Sequence, residues 1–297
     1  MKRILAVVNP IAGKKRKVNP EQMVQEVLPN SVFVEWLYWS SVEMDIGLET
    51  INRLNSDTFD MVVVFGGDGT VNRIARAMLH RKEALLIIPL GSGNGLARHL
   101  KIPMNPKKAL SLALNTTITP IDAVKINNEF YFCSAGLGFD ALIAYKFAHA
   151  GTRGLKTYIK MVFNEFFHYK SKKYIISTPN EQINTKAFFI TVANANQWGN
   201  NVKVAPQANI DDGQLEVTIL KPFLWIELPL ILLSLFFNRF NRSYKVKAIR
   251  TPKVEISSTE LQNYAHYDGE PLVIGQNASF YCIPKSLNMV IGRKMIR

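Results

Sequence analysis

The first part of the chain alternates short apolar runs with stretches in which apolar residues recur at helical spacing. The runs are rich in valine, isoleucine and leucine, which is typical of strands buried on both faces. Strands are predicted at residues 3–8, 32–38, 60–65 and 84–89, and helices at 20–28, 44–54, 71–79, 96–100 and 106–114. Repeated strand–helix units predict a parallel sheet with helices on both faces, which is an α/β domain.

The pattern changes near residue 121, where strand signals begin to dominate. Residues 121–126 and 130–133 are separated by Asn127 and Asn128, which predicts a hairpin turn. Helices are predicted at 141–148 and 155–167, and further strands at 187–193, 215–220, 245–250, 254–257, 265–267 and 278–283. The second half is therefore predicted to be an antiparallel β-sandwich or barrel. A chain of 297 residues is long enough for two such domains.

Composition narrows the class of protein. Hydrophobic residues make up 47% of the chain, as in a folded protein. The only cysteines, Cys133 and Cys282, lack metal-ligand spacing, which favours a reducing cytoplasm over a disulfide framework. The most apolar segment, 223–237, is shorter than a membrane-spanning helix and contains Glu227 and Pro229, so no transmembrane helix is predicted.

The formal charge is +13, from 36 lysines and arginines against 23 aspartates and glutamates. Such an excess favours polyanionic partners, which include nucleic acids, anionic lipids and nucleotide phosphates. No nucleic-acid recognition module is present in the sequence, so nucleic acid is not an expected partner. Segment 223–237 precedes Arg239, Arg242, Lys245 and Lys247, and is interpreted either as an interfacial patch over anionic lipid or as a core helix with a solvated basic end.

A glycine-rich loop at residues 65–70, Phe-Gly-Gly-Asp-Gly-Thr, joins the third predicted strand to the third helix. Its glycines allow the backbone to turn sharply and approach a ligand closely, and the following helix offers free N–H groups to an anion such as phosphate. Asp68 is expected to be a carboxylate free to approach a metal ion or a hydroxyl. The alternative interpretation is an ordinary strand–helix turn.

Two more glycine-bearing loops follow the first and fourth strands, at residues 9–17 and 91–95. Ligands of parallel sheets bind at the carboxyl ends of the strands, so the three loops are predicted to share one edge and form a nucleotide-phosphate site. The P-loop spacing is absent and the dinucleotide fingerprint does not fit, which excludes both of those site types. Candidate contacts are Asn9, Gly13, residues 66–72 and residues 92–94, while Lys14 fits a solvated basic loop equally well.

Two acidic turns in the second half are further candidate sites. Asn209, Asp211 and Asp212 lie together, and their oxygens suit Mg²⁺, although an Asp-Gly β-turn is the favoured interpretation of this turn alone. Asp268 and Glu270 are two residues apart. In an extended segment their carboxylates would point to the same side and act as a unit in general base catalysis, whereas the alternative is an exposed hairpin turn.

Taken in order, these stretches resemble motifs of the bacterial lipid kinases in the diacylglycerol kinase catalytic-domain family, whose relatives include sphingosine and ceramide kinases. The matching residues are 8–14, 66–72, 88–94, 136–141, 211–215 and 268–270, and they extend over nearly the whole chain. One such motif is shared with NAD kinases and phosphofructokinases. The ordered set of six is specific to the family.

The resemblance implies an α/β nucleotide-binding domain at residues 1–120 and a mostly antiparallel β-sandwich domain at 121–285, with residues 286–297 returning to the first domain. It implies ATP-dependent transfer of the γ-phosphate to the hydroxyl of diacylglycerol or a similar lipid, in a cleft between the domains. The expected setting is the cytoplasm, with peripheral contact to the membrane surface that holds the lipid substrate. A homodimer is compatible with the sequence.

The resemblance also assigns roles to residues. Asp268 and Glu270 match the carboxylate pair from which the base is drawn, and Asp68 would help to hold a Mg²⁺-bridged nucleotide. The residues that would contact ATP are Asn9, Pro10, Ile11, Ala12, Gly13, Ser41 or its neighbour Ser40, Gly66, Gly67, Asp68, Gly69, Thr70, Val71, Asn72, Ser92 and Asn94. The residues that match a supporting Mg²⁺ site are Asn209, Asp212 and, through its carbonyl, Gln214.

The sequence leaves alternatives open for the lipid that accepts the phosphate and for the activity itself. Many bacterial diacylglycerol kinases have aspartate where this chain has Gly95, and sphingosine kinases tend to have a small residue, so a sphingoid base is an alternative acceptor. Asp140 is expected either to meet a polar lipid head group or to be an acid at a helix N-terminus. An NAD kinase is disfavoured because the Asn-x-Gly-x-Leu-Gly-Phe-Leu element is missing. A non-catalytic, nucleotide-responsive membrane protein is disfavoured by the retained acidic residues.

Overall fold

The computed structural model describes residues 2–12, 18–41, 43–114, 117–150, 155–196, 203–237 and 239–292. The chain forms two compact units. One contains Met1–Asp122 and Pro284–Arg297, and the other contains Ala123–Ile283. Strand β16, Asn277–Ile291, contributes residues to both units, so the chain re-enters the first unit near its end.

The first unit is built on a parallel sheet in the order β2-β1-β3-β4. Its strands are β1 Arg3–Val8, β2 Phe33–Tyr38, β3 Met61–Gly66 and β4 Ala84–Pro89. Its helices are α1 Pro20–Val27, α2 Ile46–Ser56, α3 Asp68–Ala77, α4 Gly95–His99 and α5 Pro106–Leu110. The end of β16 extends the sheet, since Met289 pairs with Leu85 of β4 in parallel. The predicted parallel α/β arrangement is confirmed.

Burial and capping explain these elements. Strands β3 and β4 are buried along their whole length, as their unbroken apolar runs predict. Helix α1 begins where Asn19 Oδ1 accepts the N–H of Gln22 at 3.2 Å, and α5 where Asn105 Oδ1 accepts the N–H of Lys108 at 3.2 Å. A proline follows each cap, at the first helical position. Helix α5 is shorter than predicted, because a 3₁₀ turn takes over at Ser111–Ala113.

The second unit contains two antiparallel sheets. One has the order β12-β11-β10-β7-β14-β15, and in the other β16 pairs with β13, β13 with β8, and β8 with β9. The strands are β5 Thr117–Ile126, which begins in the first unit, β6 Glu129–Tyr131, β7 Ser134–Gly138, β8 Lys172–Ser177, β9 Gln182–Ala187, β10 Phe189–Ala193, β11 Leu215–Leu220, β12 Val246–Thr251, β13 Lys253–Ser258, β14 Asn263–Tyr267 and β15 Glu270–Ile274. The helices are α6 Phe139–Ala148, α7 Leu155–Phe166 and α8 Leu228–Phe236.

The core of the second unit is formed by side chains from both sheets. Ile190 and Val217 of the first sheet belong to the same buried cluster as Ile256 and Phe280 of the second. This packing confirms the predicted sandwich, which places its apolar residues between two antiparallel sheets. The hairpin predicted at Asn127 and Asn128 is also confirmed, since β5 and β6 pair directly on either side of it.

Sequence patterns missed strands β7, β8, β9 and β15. Strand β7 reads Ser-Ala-Gly-Leu-Gly and is fully buried, but its two glycines resemble a loop. Strand β9 is polar and alternates between exposed and half-buried residues before a buried end. Among the helices that the structure describes, none has both the length and the apolar character needed to cross a membrane.

Candidate active site

The carboxyl ends of β1, β3 and β4 bring three loops to one edge of the parallel sheet, as predicted. Val8 is level with Phe65, and Gly66 is level with Pro89. The N–H of Asn9 donates to the Phe65 carbonyl at 3.1 Å, and the N–H of Leu90 donates to the Gly66 carbonyl at 2.9 Å. The loops therefore leave the sheet side by side.

Asn9 ties the first loop to the start of α3. Its Nδ2 donates to Thr70 Oγ1 at 2.8 Å, while its Oδ1 accepts the N–H of Ile11 at 3.0 Å. The Asn9 carbonyl also accepts the N–H of Ala12 at 3.0 Å. Pro10 and Ile11 are exposed at the tip of this turn. The predicted contacts at Gly13 and Lys14 lie outside the described residues.

Close backbone packing explains the glycines of the second and third loops. A Cβ on Gly91 would lie 2.7 Å from the Cα of Gly67 and 2.8 Å from Asn94 Oδ1. A Cβ on Gly66 would lie 2.7 Å from the Cβ of Thr70. Real side chains do not come this close, so only glycine allows the loops to pack in this way.

Asp68 connects the two loops and is not a free carboxylate, which corrects the sequence-based expectation. Its Oδ2 accepts the N–H of Asn94 and its Oδ1 accepts the N–H of Gly95, both at 2.8 Å. Asn94 holds this turn in the left-handed conformation, with φ of 52°, and its own Oδ1 accepts the N–H of Gly91 at 3.0 Å. Asp68 therefore stabilises the third loop from the start of α3. Its contact with a metal or a nucleotide stays a prediction.

The start of α3 has the features of an anion site. Gly67 is the cap residue and supplies no side-chain hydrogen bond, so Asp68, Gly69 and Thr70 open the helix without a side-chain cap. Backbone N–H groups and the helix dipole at such a start favour a phosphate. Further along α3, Val71 and Asn72 are buried.

The predicted serine contacts are exposed. Ser92 lies in the loop after β4, beside Gly91. Ser40 and Ser41 follow β2, the strand next to β1, and the Ser40 hydroxyl lies 3.6 Å from the sulfur of Met44. These hydroxyls are accessible to a ligand at the loop edge, but their contact with ATP stays a prediction.

In the second unit, Asp268 lies in a hairpin turn and not in an extended segment. The φ angles of Asp268 and Gly269 are 48° and 87°, and Tyr267 pairs with Glu270 on either side of them. Two successive positive φ angles define the tight turn that Asp-Gly favours in two-residue hairpins. The expectation that an extended backbone aligns the carboxylates of Asp268 and Glu270 is therefore wrong.

The two carboxylates of this turn have different environments. Asp268 Oδ1 accepts the N–H groups of Cys133 and Ser134 at 2.8 and 3.1 Å, and Oδ2 accepts the N–H of Phe132 at 2.9 Å. The backbone N–H of Asp268 donates to the Ser134 carbonyl at 2.8 Å. Glu270 is exposed to solvent. Asp268 thus anchors the turn, while the carboxylate of Glu270 is accessible.

In the turn predicted to bind Mg²⁺, the Asp212 carboxylate pairs with an arginine side chain. Asp212 Oδ1 accepts the N–H of Gln214 at 3.0 Å, and Oδ2 forms an ion pair with Arg250. Asn209 is half-buried nearby in the chain. Within the described part of the chain, no group of three or more histidine, cysteine, aspartate or glutamate side chains is placed to hold a metal ion. Oxygen donors of this kind suit Mg²⁺. Here, however, the guanidinium of Arg250 already pairs with the Asp212 carboxylate that would bind the ion.

Glu216 is an ionisable group that sequence reasoning missed. It is buried on β11, where its Oε2 accepts the N–H of Gln207 at 2.8 Å. Its Oε1 is also buried. Burial raises the pKa of Glu216 to about 7, and the Gln207 N–H and the charge of Arg250 act in the opposite direction. The signal available in the sequence was a glutamate between apolar residues, Leu215 and Val217, in a predicted strand.

Asp140 pairs with His266, which the sequence did not reveal. Asp140 Oδ2 lies 3.1 Å from His266 Nε2, and both side chains are about nine-tenths buried. Asp140 Oδ1 accepts the N–H of Ala141 at 2.8 Å, which fits the predicted acid at a helix N-terminus. A Cβ on Gly136 would lie 2.1 Å from Asp140 Oδ2, so the pair depends on glycine there.

Comparisons with known proteins agree with this arrangement. The family model of the diacylglycerol kinase catalytic domain matches residues 3–126, and that of the YegS C-terminal NAD kinase beta sandwich-like domain matches residues 133–291. A Pectobacterium atrosepticum protein named "Probable lipid kinase YegS-like" is 31% identical over 220 residues, 72% of each chain. A Chromohalobacter salexigens protein of the same name is 31% identical over 216 residues, 71% of this chain and 69% of its own. The crystal structure of a diacylglycerol kinase from Bacillus anthracis matches 99% of this chain and 98% of its own with a TM-score of 0.74, and at 18% identity it supports the fold alone.

Proposed function

The chain belongs to the lipid kinases of the diacylglycerol kinase catalytic-domain family, and from this membership we propose that it transfers the γ-phosphate of ATP to a hydroxyl of diacylglycerol or a similar lipid. The observation that carries the proposal is the presence of two complementary half-sites in one chain. The first unit has interlocked glycine loops at a helix start. The second has an exposed carboxylate on an anchored turn.

The first unit is assigned to ATP. The phosphates would lie at the uncapped start of α3, where N–H groups point outward and the helix dipole is positive. Asn9 and Asp68 would contribute to phosphate binding indirectly. Asn9 fixes the first loop to the start of α3, and Asp68 fixes the third loop to it. Phosphoryl transfer depends mainly on positioning and charge, and a rigid set of loops supplies the positioning.

Mg²⁺ bound with the nucleotide would neutralise charge on the transferred phosphate. Asp68 fits such an ion because each of its oxygens accepts one N–H from the third loop and keeps a second lone pair. The supporting site of Asn209, Asp212 and Gln214 fits less well, since Arg250 must leave Asp212 before a dication can bind there. The half-exposed guanidinium of Arg250 is free to swing into solvent.

Glu270 is assigned as the general base and Asp268 as the residue that positions it. The lipid hydroxyl oxygen attacks the γ-phosphorus, the bond from that phosphorus to the bridging oxygen of ADP breaks, and the hydroxyl proton passes to the Glu270 carboxylate. The Asp268 carboxylate already accepts three backbone N–H groups that hold the turn, whereas the Glu270 carboxylate is exposed and accessible to a hydroxyl.

The second unit is assigned to the acceptor. It contains a cavity of about 330 Å³ whose lining includes Gly138, at the start of α6, together with Tyr174, Glu260 and Tyr264. Hydroxyl and carboxylate groups in the lining suit a polar head group with free hydroxyls more than an acyl chain. Both diacylglycerol and a sphingoid base present such hydroxyls.

A radiolabel assay tests the proposal. The protein is incubated with γ-labelled ATP, Mg²⁺ and mixed micelles that contain diacylglycerol, monoacylglycerol, sphingosine or ceramide. Label in one lipid product, lost in Glu270→Gln, supports the assignment and names the acceptor. A protein that binds ATP but labels none of the lipids at saturating substrate would overturn it, and NADP⁺ formation from NAD⁺ would replace it with the NAD kinase alternative.

A further inference from the structure

Helix α8 is apolar on the face that points away from the protein. Ile231 and Leu235 are buried, and they pack against a cluster that also contains Phe189. On the outer side, Leu230 and Leu233 are 71% and 53% exposed, and Phe237, directly after the helix, is 69% exposed. A surface helix of a soluble domain normally carries polar residues on its outer face. The outer face of α8 therefore lacks the pattern expected of a helix in contact with water alone.

The turn before α8 continues this apolar surface. Leu224, Trp225 and Ile226 are consecutive and each is about two-thirds exposed or more. We call the following set the apolar crest: Leu224, Trp225, Ile226, Leu230, Leu233 and Phe237. Together these residues expose on the order of 800 Å² of surface, if a fully exposed residue contributes about 200 Å². The largest apolar patch on a typical monomer is roughly 300–600 Å², and larger patches mark sites that bind a protein or a membrane.

Helix α7 adds an apolar stripe next to the crest. Ile159, Phe163 and Phe167 recur four residues apart and are all exposed. Phe166, which is adjacent in sequence to Phe167, packs its ring on Phe223 with ring centroids 5.9 Å apart. Phe223 directly precedes the crest, and both Phe166 and Phe223 pack against the same buried hydrophobic cluster.

The charged residues around the apolar crest indicate what kind of surface it binds. Between residues 221 and 247 the chain has five basic residues and one acidic residue. The acidic residue, Glu227, is paired with Lys245 at 3.3 Å, whereas Arg239 and Arg242 are exposed and form no ion pair with the described residues. Apolar side chains flanked by basic ones are typical of proteins that bind the interface of an anionic bilayer.

We propose that the apolar crest inserts into the surface of an anionic lipid bilayer, with Arg239 and Arg242 at the level of the head groups. Trp225 is suited to this boundary, because an indole ring has an apolar body and one polar N–H. This binding does not depend on the proposed kinase activity. It would, however, deliver the second unit to the surface where lipid substrates reside.

Vesicle flotation tests the proposal. The full chain is mixed with vesicles of phosphatidylcholine alone or with added phosphatidylglycerol. The wild-type protein should float with the anionic vesicles, and the variant Trp225→Ser/Leu230→Ser should partition about tenfold less. The matched control is Leu48→Ser/Leu261→Ser, which removes two exposed apolar residues elsewhere, 54% and 83% exposed, and should bind like wild type. Equal flotation of all three proteins would overturn the proposal.

Two further measurements separate the sources of binding. Arg239→Gln/Arg242→Gln should weaken binding to anionic vesicles only and flatten its dependence on salt. Brominated lipids should quench Trp225, so Trp225→Phe, which keeps an aromatic ring, should bind normally and lose that quenching. If the wild-type protein ignores vesicles and sediments as a dimer that Trp225→Ser/Leu230→Ser dissociates, the crest is instead a contact between two copies of the chain.

Discussion

Two single substitutions should separate the anchor of the β14–β15 turn from the proposed base. Asp268→Asn changes the charge and one hydrogen-bonding group but keeps the shape of the side chain. Asparagine tolerates the left-handed backbone at this position, where φ is 48°, so strain does not confuse the result. Glu270→Gln makes the same chemical change two residues away, on an exposed side chain.

The expected loss of stability follows from the contacts of Asp268. Asparagine can keep the two bonds of Oδ1, from Cys133 and Ser134, but its amide would point a donor at the N–H of Phe132. Phe132 is fully buried, so that N–H would lose its partner. A hydrogen bond to a charged group contributes about 1.5–3 kcal/mol and an unsatisfied buried donor costs a similar amount, so we expect a loss of about 2–4 kcal/mol. Glu270→Gln should change stability by less than about 0.5 kcal/mol.

Urea unfolding and phosphoryl transfer should therefore give opposite rankings. Asp268→Asn should unfold at lower urea and keep part of its activity at low temperature, where the turn is still folded. Glu270→Gln should unfold like wild type, bind ATP like wild type in calorimetry, and lose nearly all transfer. Wild-type stability of Asp268→Asn would refute the anchor, and near-normal turnover of Glu270→Gln would refute the base.

Four further substitutions test other parts of the structure. Gly91→Ala should lower stability by about 1–3 kcal/mol and weaken ATP binding in calorimetry, because its Cβ would lie 2.7 Å from Gly67 Cα. Arg250→Gln should strengthen Mg²⁺ binding in titrations with the metal alone, since it frees Asp212, and Asp212→Asn should abolish that gain. Glu216 has a raised folded pKa of about 7, so wild-type stability should fall by roughly 3 kcal/mol between pH 4.5 and pH 7 and stay level above. Glu216→Gln should remove this fall. The measurement compares the urea unfolding of both proteins at pH 5 and at pH 8, with EDTA present.

The sequence predicts well those features that depend on neighbours along the chain. Continuous apolar runs identified β3 and β4, because strands of a parallel sheet are buried on both faces. The Asn-Pro pairs identified the starts of α1 and α5 through local capping. Glycine density identified the loops at the sheet edge, since close backbone approach leaves a clear compositional trace.

Long-range contacts explain what the sequence could not give. Asp68 looked free because its partners, the N–H groups of Asn94 and Gly95, lie 26 and 27 residues away. Asp268 looked like half of a carboxylate pair because its donors lie more than 130 residues away. Backbone N–H groups are present at every residue except proline and leave no sequence signal, so the carboxylates they bind cannot be told from free ones.

Strands β7 and β14 show why two distant motifs belong to one unit of structure. The strands pair directly, with Tyr267 opposite Ala135 and His266 opposite Gly136. At one end of this pair Asp268 binds the N–H groups that lead into β7, and further along it His266 meets Asp140. A shift of one residue in the register would turn His266 to the other face and break both contacts at once. The turn that carries the proposed base and the start of α6 are therefore fixed by the same register.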